Sequence, residues 1–138
     1  MILIPAQTAR RLAANAARSA ADPSFDPAPL VKLFTPVGAA TWLASELDPD
    51  GDTLFGLADL GFGCPELGAF SLAEIAALRL PFGLAIERDL FFESDAPLSV
   101  WADTARRAGS IAAAETALAP ELPRGGSNQL PPPDPGGG

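Results

Sequence analysis

The stretch from Pro65 to Glu93 constrains the fold more than any other part of this chain, because it combines a helix start, a helix stop and a strand pattern. Ser71 opens the tetrapeptide Ser-Leu-Ala-Glu, the order of a capping box, in which Ser71 caps the first amides of a helix and Glu74 bonds back to it. Pro81 ends that helix, and alternating apolar and polar residues from Leu84 to Phe92 predict a strand. A capped helix beside a strand of this kind favours an α+β fold.

Patterns before and after this stretch complete the predicted fold. An alanine-rich segment predicts an N-terminal helix, and strand patterns separated by turn residues predict an antiparallel meander. The expected elements are a helix at Ala6–Ser19, strands at Leu30–Thr35, Thr41–Leu47, Thr53–Leu60 and Glu66–Phe70, the helix that begins at Ser71, a fifth strand at Leu84–Phe92, and helical turns within Pro97–Leu118 that break at Gly109. The predicted class is α+β: an N-terminal helix, an antiparallel sheet of about four to five strands, one capped helix packed on the sheet, and a loosely helical C-terminal segment.

The 138-residue chain is predicted to form a single domain over residues 1–118, followed by a disordered tail over residues 119–138. The tail holds six prolines and five glycines, and it has too little apolar surface to offset the entropy of ordering it. A chain that ends at Leu118 is therefore expected to melt at the same temperature as the full chain.

The net charge of −8 is concentrated in the middle of the chain. Between Glu46 and Asp95 there are eleven acidic residues and only two basic ones, Arg79 and Arg88, which makes this part −9. Such a domain repels the phosphate backbone, so direct binding of nucleic acid is disfavoured. A basic partner, including a DNA-binding protein, is favoured instead.

The residue types that most often carry catalysis are scarce. The chain has no histidine, and Cys64 is its only thiol, which we expect to be a small buried apolar residue and not a nucleophile. The spacing of Asp48, Asp50, Asp52 and Asp59 resembles a calcium loop, but the glycine and the last glutamate of such a loop are missing, so a solvated hairpin turn is favoured. The sequence therefore predicts no catalytic residue, no metal site and no cofactor.

The first residues do not have the order of charged and apolar residues that a signal peptide requires, and no apolar run is long enough to cross a membrane. A cytoplasmic protein is expected.

Alternation along the strands assigns side chains to faces. In the second strand it places Leu47 with Leu43, and in the fifth it places Arg88 with Leu90 and other apolar residues. A buried arginine needs a carboxylate or backbone carbonyls, and Glu74 is one candidate partner. The alternatives for the aromatic residues are a binding surface or the core, and the core is favoured, with Phe91 the best exposed candidate; the residues concerned are Trp42, Trp101, Phe62, Phe91 and Phe92. The predicted binding residues are Glu66, Glu74, Glu87, Arg88, Asp89 and Phe91.

Several short motifs resemble a known family. They are Lys-Leu-Phe-Thr-Pro from Lys32, Thr-Trp at Thr41, Glu-Leu-Asp-Pro from Glu46, Pro-Glu-Leu-Gly-x-Phe-Ser-Leu-x-Glu from Pro65, and Leu-Ala-Ile-Glu-Arg-Asp-Leu-x-Phe from Leu84. Over about residues 1–100 the chain resembles the DUF2958 family, a domain of unknown function in short proteins of bacterial plasmids, phages and integrated elements. The resemblance implies a mobile-element accessory role, often near conjugation and anti-restriction genes, and it brings no catalytic residues.

Two functions follow as expectations. The first is a small non-enzymatic accessory protein of a mobile element that binds a protein partner through its acidic surface, with anti-restriction or another anti-defence role as one form. The alternative is a metal-assisted hydrolase or nuclease-like enzyme that uses Glu66, Glu74, Glu87 and Asp89. Clustering of these carboxylates would favour the enzyme, and their dispersal would favour binding.

Overall fold

The structure, a computed structural model, describes residues 2–119, so the predicted tail, apart from Ala119, lies outside the described residues. The order of elements confirms the predicted α+β class. The helices are α1 (Ala6–Ala21), α2 (Leu72–Ala77), α3 (Leu98–Ala108) and α4 (Ile111–Ala117), with a short 3-10 turn at Pro81–Gly83, and the strands are β1 (Val31–Phe34), β2 (Thr41–Leu47), β3 (Thr53–Asp59), β4 (Glu66–Ser71) and β5 (Glu87–Arg88).

The five strands form one antiparallel sheet in the order β4-β3-β2-β1-β5. Helices cover both of its faces. On one face, α1 and α2 bury Leu12 and Ile75 against residues such as Leu33, Trp42 and Leu54. On the other, α3 and α4 bury apolar residues that include Trp101 and Ile111 against Leu43 and Leu57. The central strands are consequently buried on both sides. The core predictions for Trp42 and Trp101 are confirmed, whereas Phe62 is 81% exposed and does not belong to the core.

A β-bulge in β2 overturns the predicted face of Leu47. The register of β2 with β3 shifts between Ala44 and Glu46, so Ser45 is the extra residue and Leu47 joins Trp42 on the α1 face. The bulge frees the Ser45 carbonyl from the ladder, and Asn15 of α1 donates its side-chain amide to that oxygen at 2.9 Å. The alternation of apolar and polar residues along β2 does not reveal this bulge, because the Ser45 carbonyl is bonded by Asn15, which lies thirty positions earlier in the chain.

The capped helix forms, but it ends at Ala77 and not at Pro81 as predicted, and the second partner of its cap also differs. Ser71 accepts a hydrogen bond from the Glu74 amide at 3.1 Å, which confirms the N-cap. Within residues 2–119, Glu74 makes no hydrogen bond back to Ser71. Asp52 instead accepts hydrogen bonds from the Ser71 hydroxyl at 2.7 Å and the Ala73 amide at 2.7 Å, and so ties the β2–β3 turn to α2.

The predicted strand from Leu84 to Phe92 is reduced to the two residues of β5. Its partner β1 has only four residues, and β5 pairs with Leu33 and Phe34 alone. Beyond this pairing the chain turns, because Asp89 accepts a hydrogen bond from the Phe91 amide at 2.9 Å. Leu90 is therefore 69% exposed and does not face the core as predicted.

Two further predictions have opposite outcomes. The C-terminal helical segment breaks at Gly109, whose φ of 92° ends α3, and this confirms the predicted interruption. Cys64 is exposed, so the prediction that it is buried is wrong. The buried residue at this point of the loop is its neighbour, Pro65.

Of the helices within residues 2–119, not one has the length and apolar character that a membrane crossing requires.

Candidate functional site

The segment from Glu87 to Asp95 forms an acidic border at the β5 side of the sheet, and we call it the acidic edge. It contains four carboxylates and one base, Arg88. The most exposed apolar residues of the segment are Leu90 and Phe91 in the turn after β5, which are 69% and 91% exposed. The acidic edge thus presents two apolar side chains between acidic ones.

Arg88 is paired, as predicted, but not with Glu74. It lies on the α1 face opposite Leu33, and its Nε donates to the Leu3 carbonyl oxygen at 3.0 Å. A guanidinium bonded to a buried or half-buried carbonyl is a charge-assisted interaction. Arg88 therefore holds the segment before α1 against β5, which is a structural contact.

Asp89 lies on the opposite face and belongs to a small charged cluster. Lys32 of β1 donates to both carboxylate oxygens of Glu115 in α4, at 2.8 and 3.0 Å, and its Nζ lies 3.6 Å from Asp89. The three side chains are half-buried, so their attraction is screened less than that of fully exposed pairs. The cluster fixes the turn after β5 against α4.

The carboxylates named for the enzymatic alternative are distributed over both borders of the sheet. Glu66 lies on β4 and Glu87 on β5, the two outermost strands, so four strand spacings of about 4.8 Å, roughly 19 Å, separate their backbones. Glu74 is exposed on α2, which follows β4 directly. Glu66 and Glu87 therefore cannot bind one ion together. Within residues 2–119 there is no group of three or more His, Cys, Asp or Glu residues placed to hold a metal ion.

The aspartates of the calcium-like spacing have structural hydrogen bonds instead. Asp50 accepts from the Thr53 hydroxyl at 2.6 Å and from two amides of the β2–β3 turn, and these bonds lower the pKa of Asp50 below its usual 3.8, with the Thr53 hydroxyl the largest cause. Asp59 is buried and accepts from the amides of Gly61 and Ile111, both at 2.9 Å. The predicted hairpin turn is present between β2 and β3, but Asp59 is buried at the end of β3 and is not solvated as predicted.

An open cleft of about 530 Å³ lies next to the acidic edge, and we call it the aromatic cleft. The rings of Phe92 and Trp101 lie 6.0 Å apart at its wall, and Leu118 adds a further apolar surface. Glu93 and Asp95 are exposed and contribute acidic groups to the same cleft. The acidic edge and the aromatic cleft together form the candidate binding site.

Part of this site was outside the reach of sequence reasoning. Of the six predicted residues, Glu87, Arg88, Asp89 and Phe91 lie in the acidic edge, where Arg88 faces α1 and Asp89 lies on the opposite face, whereas Glu66 and Glu74 lie on the β4 side. Lys32 and Glu115 were not predicted as site residues, because they are separated by 83 positions in the sequence, and Trp101 was assigned to the core. The run of acids from Glu87 to Asp95 was the one signal that could have extended the prediction to Glu93 and Asp95.

Comparison with known protein families gives a match over most of the chain. A family model described as a protein of unknown function, DUF2958, matches residues 3–112 of the 138-residue chain. That range runs from just before α1 into the first turn of α4 and includes the acidic edge. No curated protein and no solved structure matches the chain.

Proposed function

The chain belongs to the DUF2958 family, whose function is not established, and we propose that it is a non-enzymatic accessory protein of a mobile genetic element that binds a protein partner through the acidic edge. The observation that carries this proposal is the exposure of Leu90 and Phe91 inside a run of carboxylates. The genomic setting is what the family resemblance of the sequence implies.

Exposed aromatic residues of this kind are typical of binding surfaces. A phenyl ring that is 91% exposed contributes nothing to the core, and on docking it would bury most of its apolar area. Such a side chain can anchor an interface, and charged residues around it mainly set the approach and the choice of partner. The acidic edge has both parts of this arrangement.

The acidic edge is also held in place before any partner binds. Arg88 ties one side of it to the Leu3 carbonyl, and Asp89 ties the other side to Lys32. The turn that follows Asp89 is closed by the bond from the Phe91 amide to the Asp89 carboxylate. A surface that is already ordered loses less entropy on association.

The charge of the acidic edge indicates the chemistry of the partner. The acidic edge has a net charge of −3, within a chain whose net charge is −8. It contains four carboxylates, Glu87, Asp89, Glu93 and Asp95, and one base, Arg88. This field attracts a basic protein, such as one whose own ligand is DNA, and it repels bare DNA. Interference with a DNA-binding restriction or defence protein in the cytoplasm would be one use of such binding.

Capture from a lysate of the native host tests the proposal. The full chain carries Glu87→Lys and Glu93→Lys in one variant, and the matched control carries Glu66→Lys and Glu74→Lys on the β4 side. We expect the first variant to lose the partner and the control to keep it, with release from the unchanged protein as salt rises. Asp89 is left alone, because a lysine there would face Lys32 and disturb the fold.

Equal capture by the two variants would remove the acidic edge from the function. A second assay tests the enzymatic alternative by measuring hydrolysis of nucleic acid or nucleotides. For this alternative to hold, the hydrolysis would have to require a divalent metal and be lost in the variants that replace these carboxylates. Turnover of that kind would replace the binding proposal with the enzyme.

A further inference from the structure

The aromatic cleft combines an apolar wall with acidic groups. Trp101 is only 3% exposed, and its indole N–H donates to the Ser94 hydroxyl at 2.9 Å, which fixes the ring beside the cleft. Phe92 is half-buried and tilts against Trp101 at 50°. With about 530 Å³, the cleft falls in the range of roughly 300–1,000 Å³ in which proteins bind small groups, enough for one side chain with its adjoining backbone.

The acidic groups of the cleft are not all neutralised. Asp89 and Glu115 share Lys32, whereas Glu93 and Asp95 have no ion pair within 4 Å among residues 2–119. Arg11 of α1 lines a smaller cleft together with Glu93 and Asp95 without pairing to them at that distance. The surroundings of the cleft therefore have a net charge of −2, from the four carboxylates Asp89, Glu93, Asp95 and Glu115 and the two bases Lys32 and Arg11.

From this arrangement we infer that the aromatic cleft receives an arginine side chain of the protein partner, and the inference rests on the proposed function. An arginine stem covers apolar surface, and its planar guanidinium both stacks on aromatic rings and binds carboxylates with two parallel hydrogen bonds. A lysine ammonium is more strongly hydrated and lacks the planar fork. The chain itself contains such a stack, since the guanidinium carbon of Arg18 lies 4.2 Å from the centre of the Phe25 ring.

Charge complementarity makes a partner arginine a better occupant than other groups. An acidic or phosphorylated group would be repelled by the carboxylates of Glu93 and Asp95. A purely apolar side chain would leave both carboxylates partly desolvated without a counter-charge. A competing occupant of the cleft is Arg124 of the same chain. Ala119 lines the cleft, and Arg124 follows it in the sequence by five positions.

Peptide titration tests the inference. The probe is a fluorescein-labelled nonapeptide with three arginines in a glycine–serine background, and its matched forms carry lysine or the neutral isostere citrulline at the same positions. At low salt we expect the full chain to bind the arginine peptide about fivefold or more tightly than the lysine peptide, with still weaker binding of the citrulline peptide. Binding should also shift the indole N–H signal of Trp101 in a proton–nitrogen correlation spectrum and leave that of Trp42, which is on the other face of the sheet.

Two full-chain variants locate the binding. The variant with Glu93→Gln and Asp95→Asn should bind the arginine peptide about fivefold or more weakly than the unchanged chain. The control variant with Glu66→Gln and Glu74→Gln should bind it with unchanged affinity. Equal binding of the arginine and lysine peptides, or an unmoved Trp101 signal, would overturn the cleft assignment. Tighter peptide binding by the Arg124→Gln chain would place this chain's own arginine in the cleft and overturn the assignment to a partner. These outcomes leave the capture of the host partner, and so the proposed function, to be decided by its own variants.

Discussion

Gly56 lies in the middle of β3, opposite Ala44 and beside the bulge of β2, where a methyl group would meet the neighbouring backbone. A Cβ built at this position lies 1.7 Å from the Leu43 carbonyl oxygen and 2.8 Å from its carbonyl carbon, whereas ordinary contacts are 3.4–4 Å. The two strands would have to separate in the most buried part of the sheet. Neither atom is the end of a flexible side chain, so no local rotation relieves the clash.

The expected loss for Gly56→Ala follows from this geometry. Separation of β2 and β3 breaks about two ladder hydrogen bonds at about 1 kcal/mol each, and overpacking adds about 1–3 kcal/mol, so the free energy of unfolding should fall by about 3–5 kcal/mol. With a urea m value of about 1.5 kcal/mol per molar, the unfolding midpoint should drop by about 2–3 M. Urea titration followed by circular dichroism measures it.

Gly68→Ala is the matched control. Gly68 is the partner of Gly56 in the β3–β4 register, and a Cβ there meets no atom within 4 Å. Its substitution should change stability by no more than about 1 kcal/mol, since an unhindered alanine mainly restricts the unfolded chain. Equal midpoints for the two variants would refute the close approach of β2 and β3.

Three further predictions concern single polar side chains. Arg88→Met removes the bond to the Leu3 carbonyl and should lower the unfolding free energy by about 1–2 kcal/mol in the same titration; unchanged stability would mean that this contact is not formed. Asp59→Ala strands the first amide of α4 and should cost about 1–3 kcal/mol, with faster amide exchange in α4 than in α1 as its signature. The pKa of Asp50 is lowered in the folded state, mainly by the Thr53 hydroxyl, so its stabilisation is complete above about pH 4 and is lost as the pH falls through the folded value. Asp50→Asn should therefore show a flatter loss of stability below about pH 4, and parallel pH curves would contradict the assignment.

The acidic edge and the aromatic cleft depend on contacts from three elements. Lys32 of β1 holds Glu115 of α4, and the same ammonium lies near Asp89 after β5. Loosening of this cluster would separate the cleft wall on α4 from the acidic edge. The shape of this surface is therefore maintained by long-range packing, although most of its acidic groups come from one short segment.

Elements with short-range hydrogen bonds could be predicted from the sequence. The alanine-rich segment forms α1, Ser71 caps α2 through an amide three residues away, and Gly109 separates the last two helices with a left-handed backbone. The exposure of Phe91 was also predicted, although a turn and not a strand register produces it. Each of these outcomes depends on residues within one or two turns of each other, so the local pattern contains the required information.

Other features were decided only when distant segments packed together. Asn15 of α1 bonds the carbonyl at the bulge in β2, β5 pairs with only two residues of the four-residue strand β1, and the charged cluster includes Glu115, 83 positions after Lys32. Burial of both sheet faces follows from α1 and α3–α4 packing on opposite sides, which no single strand pattern specifies. Composition and local spacing therefore determined which helices and strands form and where the negative charge lies along the chain. The tertiary structure determined which of those charges share a surface, because hydrogen bonds and burial between distant segments exist only in the assembled fold.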